Sequence, residues 1–310
     1  MKNIISAKSV LFFLLLVAVS AFTFSAAFKT RLTKDTEPLI GDPSQTMHGM
    51  KLIWHDEFNE DGKPDPNNWT YEHGFVRNNE LQWYQPENAI CKNGCLIITG
   101  KKDSIVNDQY EQNSLNWRKN RPYAEFSSAC LISRGLQEWS SYGYFEIGAK
   151  IDTVKGSWPA IWTLGTEKRW PECGEIDLME FYRVDDRPTI LANAAWGGEN
   201  GRGVSWDSQR LPLSHFTKKD LEWVNKFHIW GMLWNKNAIK LYLDGELLNE
   251  IPLENTINAD GFNPFREGNT HYILLNLAIG SNGGEPDAAN FPITFEVDYV
   301  RVYQSGKKDN

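Results

Sequence analysis

Three carboxylic acids stand within six residues in the stretch Gly174-Glu-Ile-Asp-Leu-Met-Glu-Phe181, and every residue between them is apolar. A carboxylate among apolar neighbours is costly unless something pairs it or uses it. The segment otherwise has the make-up of a buried strand. Successive side chains on a strand point to opposite faces, so Glu175 and Asp177 share one face. Glu180 is an odd number of residues from Glu175 and would point away. A one-residue β-bulge at Leu178 or Met179 would return it. The spacing therefore predicts three acids on one face, with a bulge between the second and third. Such a group is equipped for acid–base and nucleophilic work on a glycosidic bond, where a retaining mechanism sets two carboxyls about 5 to 5.5 Å apart. A third acid between them would keep their protons apart, because adjacent carboxylates raise one another's pKa. The alternative is an edge strand whose charges guard against aggregation.

The elements that must position this run are short strands. Strands are expected at 52–58, 95–99, 142–152, 158–164, 190–196, 227–234, 238–243, 246–251, 272–279 and 295–303. Asp244-Gly245 between two of them is a hairpin signal. In the strand at 142–152, Tyr142, Tyr144, Glu146, Gly148 and Lys150 oppose Phe145, Ile147, Ala149 and Ile151. One helix-like stretch lies around 219–226. Many short strands without alternating helices predict an all-β sandwich, one domain from 48 to 305, followed by a tail at 306–310.

Composition narrows the class further. Thirteen Trp, 11 Tyr and 16 Phe give aromatic faces suited to sugar rings, or simply a large β core. A net charge of −8 without a basic block argues against nucleic acid as a partner. Lys2 and Lys8 precede an apolar run ending near Ala27, which reads as a signal peptide over 1–27; an uncleaved membrane anchor is the alternative. Residues 28–47 read as a linker. Export permits disulfides, and Cys91 and Cys95, flanking Lys-Asn-Gly, are a candidate pair; Cys130 and Cys173 read as packed thiols or further partners. The cysteine spacing suits zinc poorly. No organic cofactor and no stable protein partner is implied, and a monomer is expected.

Glu175-Ile-Asp-Leu-Met-Glu180 resembles the E-x-D-x-x-E signature of glycoside hydrolase family 16, in the bulged form of its laminarinase-like branch. Asn78-Asn-Glu-Leu-Gln82, Tyr142-Gly-Tyr-Phe-Glu146, Gly156-Ser-Trp-Pro-Ala-Ile-Trp162, Trp170-Pro171, Leu275-Asn-Leu-Ala-Ile-Gly280 and Val297-Asp-Tyr-Val-Arg-Val-Tyr-Gln304 resemble further segments of that family, in order. The resemblance implies a jelly-roll β-sandwich of two curved antiparallel sheets with an open concave cleft. It implies retaining, endo-acting hydrolysis of a β-linked polysaccharide, with Glu175 as nucleophile, Asp177 as assisting acid and Glu180 as acid/base. Cleft residues implied or suggested by pattern are Arg77, Asn78, Asn79, Glu80, Trp158, Trp162, Trp170, Asn193, Trp196 and Asn282. Trp158 and Trp162 are candidates for sugar stacking, with core packing as the other possibility; the asparagines at 78 and 79 also suit a turn. The family resemblance further implies a structural calcium ion, held by the Asp298 carboxylate and main-chain oxygens near Glu57 and Gly94.

Two segments depart from the pattern. A run resembling T-L-H-Y-G reads Asn193-Ala-Ala-Trp-Gly197, with Ala195 in place of His. A loop resembling G-N-W-P-G reads Gly280-Ser-Asn-Gly-Gly284 and lacks its Trp. Both touch substrate regions. The expected substrate is β-1,3-glucan, with mixed-linkage glucan, algal galactan and mucin-type galactose-containing chains as alternatives. Transglycosylation is a nearer rival than a lectin that binds without cutting, since all three acids are present.

Overall fold

The computed structural model describes residues 49–305, apart from 141 and 199. The expected signal peptide, linker and tail lie outside the described residues. The chain forms two sheets packed face to face as a jelly-roll sandwich. One, the catalytic sheet, runs in the order Val204–Pro212, Arg187–Gly197, Glu175–Val184, Ser157–Gly165, Thr270–Ile279, Cys130–Ile132 and Thr70–Tyr71. The other, the back sheet, runs Glu246–Pro252, Ala238–Leu243, His228–Trp234, Gly143–Ile151, Ile293–Gln304, Cys95–Val106, Tyr123–Ser128 and Gln82–Tyr84. Lys51–Asp56 pairs with Ile293–Gln304, and Ala89–Lys92 with Cys95–Val106.

The core follows from strand alternation. Phe145, Ile147, Ala149 and Ile151 of the back sheet and Ile161, Ile176, Met179 and Phe181 of the catalytic sheet belong to one buried cluster. Burying each larger apolar side chain contributes about 1.5–3 kcal/mol. Every expected strand is present, with ends moved by a few residues. The strand expected at 95–99 continues to Val106, because its second half pairs with Tyr123–Ser128.

Two expectations are corrected. Residues 219–226 do not form a helix; a short helix at Ser214–Thr217 and a 3-10 turn at Trp223–Asn225 stand there instead. The Asp220 carboxylate accepts the Glu222 N–H, which makes a turn, and buried Trp223 stacks on Phe216 and His228. Cys91 and Cys95 are not bridged; all four cysteines are thiols. Cys91 lies opposite Leu96, so both face the core, and Cys95, one residue from Leu96, points the other way.

Candidate active site

The bulge places the acids. Glu175 pairs with Ala195 and Asp177 with Asn193, and then the register shifts so that Glu180 pairs with Leu191. The other neighbour shows the same slip: Ala160 faces Glu180, Ile161 faces Met179 and Trp162 faces Asp177. Leu178 is the extra residue, and both it and Met179 are buried in the core. Glu175, Asp177 and Glu180 therefore line one cleft of about 550 Å3. Gly174 lets the chain enter this strand: its φ is +82°, and a Cβ there would lie 2.6 Å from Pro264 Cβ.

Among the described residues no lysine or arginine is bonded to any of the three acids; they are held by neutral N–H donors. Trp170 Nε1 donates to Glu175 Oε2 at 2.8 Å. Trp158 Nε1 donates to Glu180 Oε1 at 3.0 Å. Asn193 Nδ2 donates to both Asp177 Oδ2 and Glu180 Oε2, each at 3.0 Å. Asp177 is fully buried, while Glu175 and Glu180 keep part of their surface open to the cleft. Burial raises Glu175 to about 7, opposed by the Trp170 donor, the charge of Arg77 and a hydrogen bond with Asp177. Burial and then the charge of Glu175 raise Glu180 to about 8, opposed by Trp158 and Asn193. Burial, then the charges of Glu180 and Glu175, hold Asp177 well above the carboxylate range. A protonated Asp177 donates to Glu175 and helps keep it ionised, while Glu180 keeps its proton near neutral pH.

Other expected residues divide between the cleft and the interior. Arg77 lines the cleft, forks onto Glu72 and lies 5.0 Å over the Trp162 ring. Asn78 and Glu80 line it too, joined by Asn78 Nδ2 to Glu80 Oε1 at 3.2 Å, and Asn282 lies on the same wall. Asn79 is exposed and outside the lining; with φ of +53° it serves the turn, beside Asn78 at +56°. Trp170 is 52% exposed and presents a face to solvent. Trp158 and Trp162 line the cleft but are only 6% and 8% exposed, so each offers little ring face. Trp162 Nε1 is bonded to Asn276 Oδ1 at 2.7 Å. Trp196 is a correction: three residues from Asn193, it points to the opposite face and packs in the core.

Sequence reasoning missed Arg118, Tyr182, Trp206 and Asn276, all of which line the cleft. Asn276 had a signal, a lone amide in an apolar strand. Trp206 becomes visible only with the register of the edge strand, where it sits opposite Ala195. Arg118 comes from a loop and carried no signal.

Among the described residues no three His, Cys, Asp or Glu side chains form a metal cluster. The Glu57 carboxylate is taken by Arg301, at 2.8 and 2.9 Å. Asp298 Oδ1 lies 4.0 Å from Cys95 Sγ, and a Cβ on neighbouring Gly94 would lie 3.6 Å from Asn59 Oδ1. The three expected segments thus converge. The Glu57 side chain, held by Arg301, is not available as a cation ligand.

Known proteins resemble this chain over most of its length. The family model described as Glycosyl hydrolases family 16 matches residues 92–301. A β-glucanase of Rhodothermus marinus is 31% identical, over 86% of this chain and 89% of that protein. A glucan endo-1,3-β-glucosidase of Niallia circulans is also 31% identical over 86% of this chain, which spans 39% of that longer protein. Among solved structures, one from a study of endo-acting O-glycanases of human gut microbiota has TM-score 0.74 and 30% identity, covering 84% of this chain and 94% of that one. A non-specific endo-β-1,3(4)-glucanase has TM-score 0.67 and 33% identity, covering 85% and 94%.

Proposed function

This chain belongs to glycosyl hydrolases family 16, and we propose that it cuts β-1,3-linked glucan internally, with Glu175 as nucleophile and Glu180 as acid/base. One observation carries the reading: a bulge at Leu178 puts three acids with neutral N–H partners on the floor of one cleft. Glu180 gives its proton to the glycosidic oxygen as Glu175 attacks the anomeric carbon, so the leaving sugar departs as an alcohol. Glu180, now a carboxylate, takes a proton from water; the water oxygen displaces Glu175 and the original configuration returns. Asp177 positions and neutralises between them, sharing its proton with Glu175. The bonds from Trp158 and Asn193 occupy one lone-pair direction on each Glu180 oxygen, leaving another free for the mobile proton.

The glucan reading draws on relatives named for β-glucan cleavage. The second reading, a galactose-containing O-glycan, draws on Ala195 beside Glu175, on exposed Trp206 across from it, and on the likeness to the O-glycanase structure. Incubation with β-1,3-glucan, mixed-linkage glucan, agarose and mucin O-glycans decides between them. Internal cleavage of the β-1,3-glucan to short oligosaccharides is expected. Cleavage of the mucin chain alone would replace the substrate, and binding without cleavage of any would reject the enzyme assignment. Longer-than-substrate products would reveal transfer to a sugar hydroxyl. We propose in addition that the chain is exported and acts as a monomer, with calcium on Asp298 stabilising the back sheet. A chelator should then lower the melting temperature.

A further inference from the structure

Asn193 has both of its N–H donors committed within the protein and almost no surface open to substrate. Its two N–H bonds go to Asp177 and Glu180, each at 3.0 Å, and its Oδ1 accepts from Ser208 Oγ at 2.5 Å. It is 2% exposed. Ser208 stands directly opposite it on the edge strand Val204–Pro212. We infer that Asn193, held by Ser208, is a positioning residue for proton transfer: the pair clamps the acid/base against the assisting acid and aims its free lone pair into the cleft. This rests on the assignment of Glu180 as acid/base.

An amide can turn either edge to its neighbours, but only its NH2 edge can donate to two carboxyl groups at once. The Ser208 hydroxyl gives the opposite edge a donor, so the amide is satisfied in one orientation at both ends. Trp158 fixes the other oxygen of Glu180, and its ring meets Tyr182 edge to face at 5.4 Å. Glu180 is thus held at both oxygens by groups from the two strands that flank its own. The charged and titratable groups facing it are Glu175, Asp177 and Tyr182 on its own strand and Glu80 from the loop before Gln82–Tyr84. Arg210, on the edge strand, faces Tyr182. None of these supplies a cation bonded to Glu180, so the amide is what stabilises its charged form from that side.

The test compares Asn193→Ala and Ser208→Ala with the parent protein on a glycan the parent cuts, and on an aryl glycoside whose leaving group needs no proton. Asn193→Ala is expected to lower kcat about 100-fold with KM nearly unchanged. Its alkaline limb should move to higher pH, because a donor to the ionised form is gone. Much of the loss should vanish on the aryl glycoside. Ser208→Ala should move the same quantities in the same direction, with roughly a 2- to 10-fold loss, and Ser208→Thr should restore them. A raised KM with unchanged kcat and limb would instead make Asn193 a substrate ligand. A lowered melting temperature with no movement of the limb would make the pair merely structural. If Asn193→Ala does not fold, the Ser208 variants decide alone. Glu180→Ala on the aryl glycoside separates the two layers: without rescue there, the acid/base assignment fails; with it, a failure of the Asn193 series overturns only this inference.

Discussion

The two faces of the sandwich each bury a glutamate, and they treat it differently. On the back sheet Glu146 is fully buried, accepts from Tyr299 Oη at 2.9 Å and lies 3.8 Å from Arg301, which also forks onto Glu57. In the cleft, Glu180 is surrounded by two other acids and held by an indole and an amide. Burial raises the pKa of both. At Glu146 the Tyr299 phenol, the Arg301 cation and the Tyr144 phenol oppose the rise against a push from Glu57, and the group is fixed. At Glu180 the neighbouring Glu175 adds to it, and the group is poised to exchange a proton near neutral pH. A buried acid with an arginine is a structural element; one with only neutral donors is available for chemistry.

The largest expected effect separates these faces outright. Glu175→Gln and Glu180→Gln should each lower kcat on polysaccharide by about 10^3-fold or more, while Glu146→Gln leaves kcat unchanged; steady-state rates with matched circular dichroism check it. Next is stability. Arg301→Met removes the cation shared by Glu57 and Glu146 and should cost about 3–5 kcal/mol, read by denaturant unfolding, with activity per folded molecule intact. Glu180→Gln should do the reverse. A carboxyl whose folded pKa is raised above its unfolded value weakens the fold increasingly as pH climbs from the unfolded value towards the folded one, about 8 for Glu180. The melting temperature of Glu180→Gln should therefore exceed that of the parent, by a margin that grows from pH 5 to pH 8. A pH-independent margin would mean that Glu180 carries no raised pKa in the folded protein.

Smaller effects sharpen it within the cleft. Trp158 is buried and bonded to Glu180, so Trp158→Ala should lower stability by about 3–5 kcal/mol and lower kcat as well. Trp206 is 46% exposed, so Trp206→Ala should leave the melting temperature unchanged and raise KM alone. The parity of Trp158 with the acids was legible in the sequence; its burial beneath Tyr182 was not. The pH profile is the smallest effect. The rate should fall below about 7, as Glu175 gains a proton, and above about 8, as Glu180 loses one.

Strand parity made much of this site readable before any coordinates. Glu175, Asp177 and Glu180 cannot share a face without a bulge, and the bulge is at Leu178. The same rule, applied to Asn193 and Trp196, would have sent Trp196 to the core, and applied to the hairpin at Asn93-Gly94 it would have separated Cys91 from Cys95. Trp206 and Arg118 were beyond reach, because neither adjacent spacing nor composition tells which edge strand or loop closes over a cleft. That information lies in register between segments distant in sequence, such as Ala195 opposite Trp206. The asparagine at 193 showed only its type; its role depends on Ser208, fifteen residues on, and on two acids of the preceding strand.

In this mechanism the bulged strand sets Glu175 to form a covalent bond to the sugar. A 2-deoxy-2-fluoro glycoside with an activated leaving group, built on the glycan the enzyme cuts, should trap that state. Peptide mass spectrometry should then find one sugar on the peptide carrying Glu175, located at Glu175 by fragmentation. The sugar on Glu180, or rapid turnover with no trapped enzyme and inverted product, would rule out Glu175 as the nucleophile.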